Sequence, residues 1–214
     1  MSRRVPLLTA AHKEKRLAWC LESRDRDWSS VVFSDESKMQ FAANTAKALT
    51  QKKKKPIVAT VQYPVSVMIW GGISVRGPTE LAFVRGSVDS SVYQSIIDGC
   101  CVPTMDTLYP DGWTLQQNNA PCHVSRATRA HFQSGGIAVI NWPANSPDLN
   151  PIENLWSLMK RKLSKVRRTT VEAWKEKIAE LWQNVAEEYG PSLIDSMQRR
   201  IEACIAANGS HTKY

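Results

Sequence analysis

Three short polar stretches stand just beyond apolar runs, where side chains can gather at one edge of a sheet. Asp35 follows Val31-Val32-Phe33, Asn118 and Asn119 follow the run 113–117, and Glu153 stands in the first turn of a helix behind a proline-rich break. Each has an ordinary reading. An acid after a strand forms turns, and an acid at a helix start complements the dipole. Taken together, oxygen ligands from two strand ends and a neighbouring helix start can converge on one point, the usual place for a site in an open α/β sheet. Hard oxygen donors suit magnesium. Two such ions about 4 Å apart can activate a water or hydroxyl and stabilise the leaving oxygen of a phosphodiester. That chemistry needs neither a histidine base nor a serine nucleophile. No G-x-S-x-G, P-loop or HExxH competes with it.

The elements that must position these groups follow from periodicity. Residues 8–22 read as an amphipathic helix with Thr9 as N-cap. The run 28–33 reads as a strand ending at Ser34, with 38–42 as its hairpin partner. The run 65–70 reads as a strand stopped by Gly71-Gly72, and 79–84 as the next one. A helical pattern covers 90–108, kinked or interrupted by Pro103. A short strand at 113–117 precedes a helix at 123–132 closed by Gly135-Gly136, and 137–141 reads as a buried strand. Helices are expected at 152–165, 170–188 and 191–207, with the capping-box spacing of Thr169 and Glu172 placing one start just after Thr169. Strands first, then alternating helices and strands, then helices imply an α/β fold. Its mixed sheet has an early antiparallel meander, later parallel strands, and helices on both faces.

Bulk properties narrow the class. A chain of 214 residues with 43% hydrophobic content can bury one substantial core, and eight tryptophans argue against disorder. No window has the roughly 18 apolar residues that a bilayer span requires, and Met1-Ser-Arg-Arg leads into no apolar run, so an intracellular protein without a membrane partner is expected. Five cysteines at 20, 100, 101, 122 and 204, with no CxxC pair, make a disulfide framework or zinc site improbable. The net charge of +8 favours a polyanionic partner. It is concentrated in Lys52-Lys53-Lys54-Lys55, which reads first as a solvated loop, with nucleic-acid contact or nuclear targeting as its other uses, and in the segment 160–168.

Longer motifs sharpen this. Gln116-Gln-Asn-Asn-Ala-Pro-Cys-His123 resembles the Q-x-D-N-A-P-x-H motif of Tc/mariner transposases, and Trp142 to Trp156 resembles that family's W-P-x-x-S-P-D-L-N-P-I-E-x-x-W block. Ser34-Asp35-Glu36-Ser37 looks like the motif of the first catalytic aspartate, and Val67-Met68-Ile69-Trp70-Gly71 like the central strand. The ending Asn208 to Tyr214 is similar to the C-terminus of the Tc branch, so the resemblance runs from about Pro6 to the last residue. Thirty-four residues separate position 118 from Glu153, which, with glutamate as the third acid, again matches the Tc branch.

The resemblance implies a ribonuclease-H-like mixed sheet flanked by helices, with a C-terminal helical extension. Its division would be a linker helix at 1–27, the DDE catalytic domain at 28–169 and C-terminal helices at 170–214 packed on that domain. It implies cleavage and strand transfer of DNA by hydrolysis and transesterification in the nucleus. Two Mg2+ ions, with Mn2+ able to substitute, would be held by Asp35, position 118 and Glu153. DNA is the partner implied, with a homodimer left open. Lys160, Arg161, Lys162, Lys165, Arg167 and Arg168 would face DNA phosphates. Asn119 and His123 would line the site, His123 being equally readable as a packing or capping residue at a helix start. The turn 146–151 would orient Glu153 rather than bind metal, with Asp148 capping the loop or the helix.

Two departures from the family pattern matter. Position 118 is asparagine where the family has aspartate, which removes a charge; Asp111 lies before the strand and cannot replace it. Weak metal binding and little or no cleavage are therefore expected, leaving a non-catalytic, transposase-derived DNA-binding protein as the alternative. Another ribonuclease-H-like nuclease is a third reading. The family also carries paired helix-turn-helix modules ahead of the region matched here. The sequence begins near the linker that follows them, so specific recognition of transposon ends is expected to be absent.

Overall fold

The computed structural model describes residues 7–40, 66–166 and 170–214. The lysine run at 52–55, and Arg167 and Arg168, lie outside them. Among the described residues six strands form one mixed sheet. Strand β1 (Val31–Gln40) is central, flanked by antiparallel β2 (Ser66–Ser74) and parallel β5 (Thr114–Gln116). The outer edge of β2 is shared by β3 (Gly77–Pro78) and β4 (Ala82–Val84), and β6 (Ala138–Val139) adds in parallel to β5. The antiparallel meander and the later parallel strands thus follow the expected order.

The sheet is buried on both faces because β1 and β2 alternate large apolar residues. Val31, Phe33, Met39, Ile69 and Ile73 point into one core, shared with α1 (Ala10–Glu22), α5 (Ile152–Leu163), α6 (Val171–Ile194) and α7 (Met197–Ala206). Val32, Trp70 and Leu115 point into the other, under α2 (Ser90–Ile96), α3 (Val102–Leu108) and α4 (Arg126–Ser134). Thr9 caps α1 through a reciprocal bond pair with His12, as its position suggests.

Several boundaries differ from the sequence reading, each for a packing reason. β1 does not end at Ser34; it runs on to Gln40, and β2 rather than 38–42 is its partner. β2 passes through Gly71 and Gly72. A Cβ on Gly71 would lie 2.8 Å from the Trp182 ring, so glycine here admits a helix side chain instead of ending the strand. The bulge in the 90–108 helix is a π-turn at Ile97–Cys101, just before Pro103, which sits in the first turn of α3 where its missing N–H costs nothing. Of the apolar 137–141 run only Ala138–Val139 form the strand, an exposed edge rather than a buried one, while Ile140 just beyond it is buried. α4 starts at Arg126, capped by Ser125, so His123 precedes it. α6 is capped by Thr170 and continues through Pro191 to Ile194.

Candidate active site at the end of a short parallel strand

β5 pairs with β1 only as far as Gln116, opposite Phe33, whereas β1 continues. Beyond that level one edge of β1 loses its neighbour and a cleft opens. Asp35, Asn118, Asn119, Asn150 and Glu153 line it, with the segment 142–147 as one wall, around a volume of about 450 Å³. The structure therefore brings the three predicted corner residues together. Asp35 lies inside a strand rather than in the turn after one; what ends beside it is β5.

Asn118 donates its side-chain N–H to Asp35 Oδ1 at 3.2 Å, while its Oδ1 accepts from the Ala120 backbone at 2.9 Å. The second bond fixes the amide's orientation, because the Ala120 N–H needs an acceptor. The nitrogen, not the oxygen, faces the carboxylate. Asp35 is pushed up to about 8, first by burial and then by the charges of Glu153 and Glu36, with its bonds from the Glu36 backbone and Asn118 pulling the other way. Two carboxylates disfavouring each other's charge are the donor set a hard cation relieves. Asp35 and Glu153 fit such an ion; Asn118, as oriented, does not. Among the described residues no group of three or more His, Cys, Asp or Glu side chains is disposed to hold a metal.

The neighbours are held tightly. Asn119 donates to the Trp142 carbonyl at 2.8 Å, tying the strand end to the cleft wall. Asn150 bonds the Ser34 carbonyl at 3.3 Å, and the Glu153 N–H bonds the Asn150 carbonyl at 3.3 Å, so the turn before α5 is fastened to β1. Asp148 does not cap the helix. It is buried and takes a two-pronged bond from Arg16 at 2.9 and 2.8 Å; that guanidinium holds its carboxyl below the usual range against the cost of burial, which acts the other way.

His123 lines an adjacent cavity of about 390 Å³ with Asn119 and Trp142 rather than the acid cleft. One ring nitrogen lies 3.3 Å from the Asn118 carbonyl and the other 3.1 Å from Glu36 Oε1, and the ring stacks on Tyr93 at 3.9 Å. It anchors the strand end from the opposite face of the sheet. Glu36, Arg16 and Arg200 were not singled out from the sequence. A lone arginine in a helical run such as His-Lys-Glu-Lys-Arg16 carries no signal that it is buried. Lys160, Arg161, Lys162 and Lys165 are exposed along α5 and just beyond it.

Comparison with known proteins agrees. A family model described as DDE superfamily endonuclease matches residues 30–173. The chain is 33% identical to the transposable element Tc3 transposase of Caenorhabditis elegans over 99% of its own length and 66% of that protein's, so it spans about two thirds of that relative. It is 30% identical to the Tc1 transposase of the same organism, over 98% of the chain and 80% of the relative. The Mos1 mariner paired end complex with Mn superposes over 100% of this chain and 67% of its own, with TM-score 0.82 and 21% identity. The catalytic domain of Mos1 mariner transposase covers 99% of this chain and 100% of its own, with TM-score 0.75 and 19% identity. These structural matches establish the ribonuclease-H-like fold. With the family model spanning the sheet and the acid-bearing helix, and with the Tc1 and Tc3 enzymes collinear along nearly all of its length, the chain belongs to the DDE superfamily endonucleases, in the Tc/mariner transposase branch.

Proposed function

We propose that this chain is a transposase catalytic domain whose phosphodiester site, Asp35, Asn118 and Glu153, is weakened by the amide at position 118. One observation carries the reading: the three side chains line a single cleft at the end of β5. A bound divalent ion, Mg2+ or Mn2+, would supply activation of water or a DNA 3′-hydroxyl and charge relief at the leaving oxygen. Asp35 and Glu153 would hold it, and Asn119 and Asn150 would keep the cleft walls in register. Asn118 keeps Asp35 bridged to a neutral donor instead of adding a third negative charge. Relatives solved with Mn, and others with Mg, support the choice of ion.

DNA is the proposed partner, met by the exposed face of Lys160, Arg161, Lys162 and Lys165, with Arg167 and Arg168 continuing the run in sequence. A nuclear location follows from a genomic DNA substrate, and a homodimer is compatible with the paired end complex formed by a structural relative. No helix among the described residues is long and apolar enough to cross a membrane. The division at 28–169 and 170–214 is kept as organisation, since α6 packs on α5 and β2 rather than standing apart.

The experiment is nicking of supercoiled plasmid with Mg2+ or Mn2+ by the natural chain and by Asn118→Asp. Nicking by the variant alone is expected. Activity in neither, or activity surviving Glu153→Gln, would sink the site assignment. The Asn118 amide facing Asp35 also favours a second reading, a protein that binds DNA without cutting it. It predicts sequence-independent binding whose salt slope drops by about 0.9 for each basic contact removed from α5.

A further inference from the structure

Two buried arginines stand outside the cleft and hold the turn that presents Glu153. Arg200, on α7, forks across that turn. Its Nη1 donates to the Asp148 carbonyl at 2.9 Å and its Nη2 to Asn154 Oδ1 at 2.7 Å, so one guanidinium grips the chain on both sides of Glu153. Its Nε donates to Ser196 Oγ at 2.7 Å, which fixes the fork's own angle at the start of α7. Tyr214 covers the guanidinium, its ring centre 4.8 Å away. Arg16, on α1, holds the same turn from below through Asp148 and reaches the Asn145 carbonyl at 3.3 Å and the tail carbonyl of Gly209 at 2.9 Å. The Thr212 N–H adds a bond to Asp148 Oδ2 at 3.0 Å. Both arginines are at most 1% exposed.

A buried cation is costly unless its hydrogen bonds are satisfied. Here the satisfied bonds converge on residues 145–154, the segment that walls the cleft and carries its second carboxylate. An apolar helix contact would have sufficed to dock α7; five planar donors fix the direction of what they hold as well.

We propose that Arg200 is a positioning residue for Glu153, with Arg16 and the C-terminal tail as its support, so that the geometry of the acid pair is set from α7. This rests on the reading of Asp35 and Glu153 as a divalent-ion site, and it adds the residues that tune that site without touching the ion. Partners that orient a ligand typically change metal affinity by roughly 10–100-fold when removed.

The test compares Arg200→Lys, which keeps the cation but loses the fork, with Ile201→Val, which trims the same helix. Hydrogen exchange on the natural chain reads the turn directly. In Arg200→Lys the amides of Leu149, Asn150, Glu153 and Asn154 should exchange about tenfold faster while those of α7 keep their rates; Ile201→Val should leave the turn unchanged. In the Asn118→Asp background, Mn2+ affinity, read from the paramagnetic resonance of the free ion, should fall about tenfold with Arg200→Lys and not with Ile201→Val. Unchanged exchange in the turn overturns the proposal. So does a loosened turn with unaltered Mn2+ affinity, which makes the fork a brace of the fold alone. If Asn118→Asp itself binds no Mn2+, the ion-site reading fails, and the exchange profile decides by itself whether the fork holds the turn. Should Arg200→Lys fail to fold, Asn154→Ala removes one arm of the fork from outside α7 and is read the same way.

Discussion

Asn118 and Asp35 are joined by an N–H···O bond of 3.2 Å, a neutral amide donating into a half-buried carboxylate from the end of the adjacent strand. An aspartate in the same place would keep the bond from Ala120 but turn a donor into a third carboxyl group beside Asp35 and Glu153. The amide at this position therefore gives Asp35 a partner in the ion-free protein.

Asn118→Asp should accordingly lower stability without divalent ions, on the order of 1–3 kcal/mol, because Asp35 loses a half-buried donor. Millimolar Mg2+ or Mn2+ should restore it, since a ligand that binds only the folded state stabilises it. The natural chain should respond far less to either ion. Thermal melts with EDTA and with each ion measure this; equal ion-induced shifts in both proteins would contradict the geometry.

The acid-base behaviour of Asp35 gives a second expectation. Its carboxyl is raised from 3.8 to about 8, chiefly by burial. The unfolded chain releases this proton near 3.8 and the folded one only near 8, so the unfolded state binds fewer protons between those values and stability falls as pH rises through the window. Below it the group has no cost. Asp35→Asn removes the dependence. Its advantage in melting temperature over the natural chain should be small at pH 4, grow to about pH 8 and then level off, in EDTA throughout. A pH-independent difference would mean that Asp35 ionises freely in the fold.

Gly71→Ala tests the packing behind the site. The new methyl would sit 2.8 Å from two ring carbons of Trp182. That ring cannot swing away readily, because it stacks on Trp156 at 5.1 Å and donates to the Thr79 carbonyl at 2.9 Å. Overpacking of this kind costs about 1–3 kcal/mol. Urea unfolding followed by tryptophan fluorescence should show the unfolding free energy fall by that amount, with a lower midpoint; an unmoved midpoint would place Trp182 elsewhere.

The residue pattern alone carried a good deal. The run 28–33 announced a strand, the order of strands and helices announced a mixed sheet, and the placement of Asp35, Asn118 and Glu153 beyond apolar runs or at a helix start announced one shared edge. Those are local signals, written in spacing and side-chain type. What they could not contain is anything decided by a distant partner. Gly71-Gly72 reads as a stop until Trp182, far along the chain, is found lying on it. In the run 137–141, Ala138 and Val139 read as buried until the sheet is seen to end at them. His123 reads equally as a site-lining or a packing residue until strand alternation sends Glu36, and with it the imidazole, to the other face. Arg16 and Arg200 carry no local signal of burial, because a guanidinium is buried only where carbonyls and carboxylates come to meet it, and Asp148 lies 132 residues along the chain from Arg16 and 52 from Arg200. The asparagine at 118 was legible as a lost charge. Only the fold decided which of its two ends faces Asp35, since that depends on the Ala120 N–H claiming the oxygen.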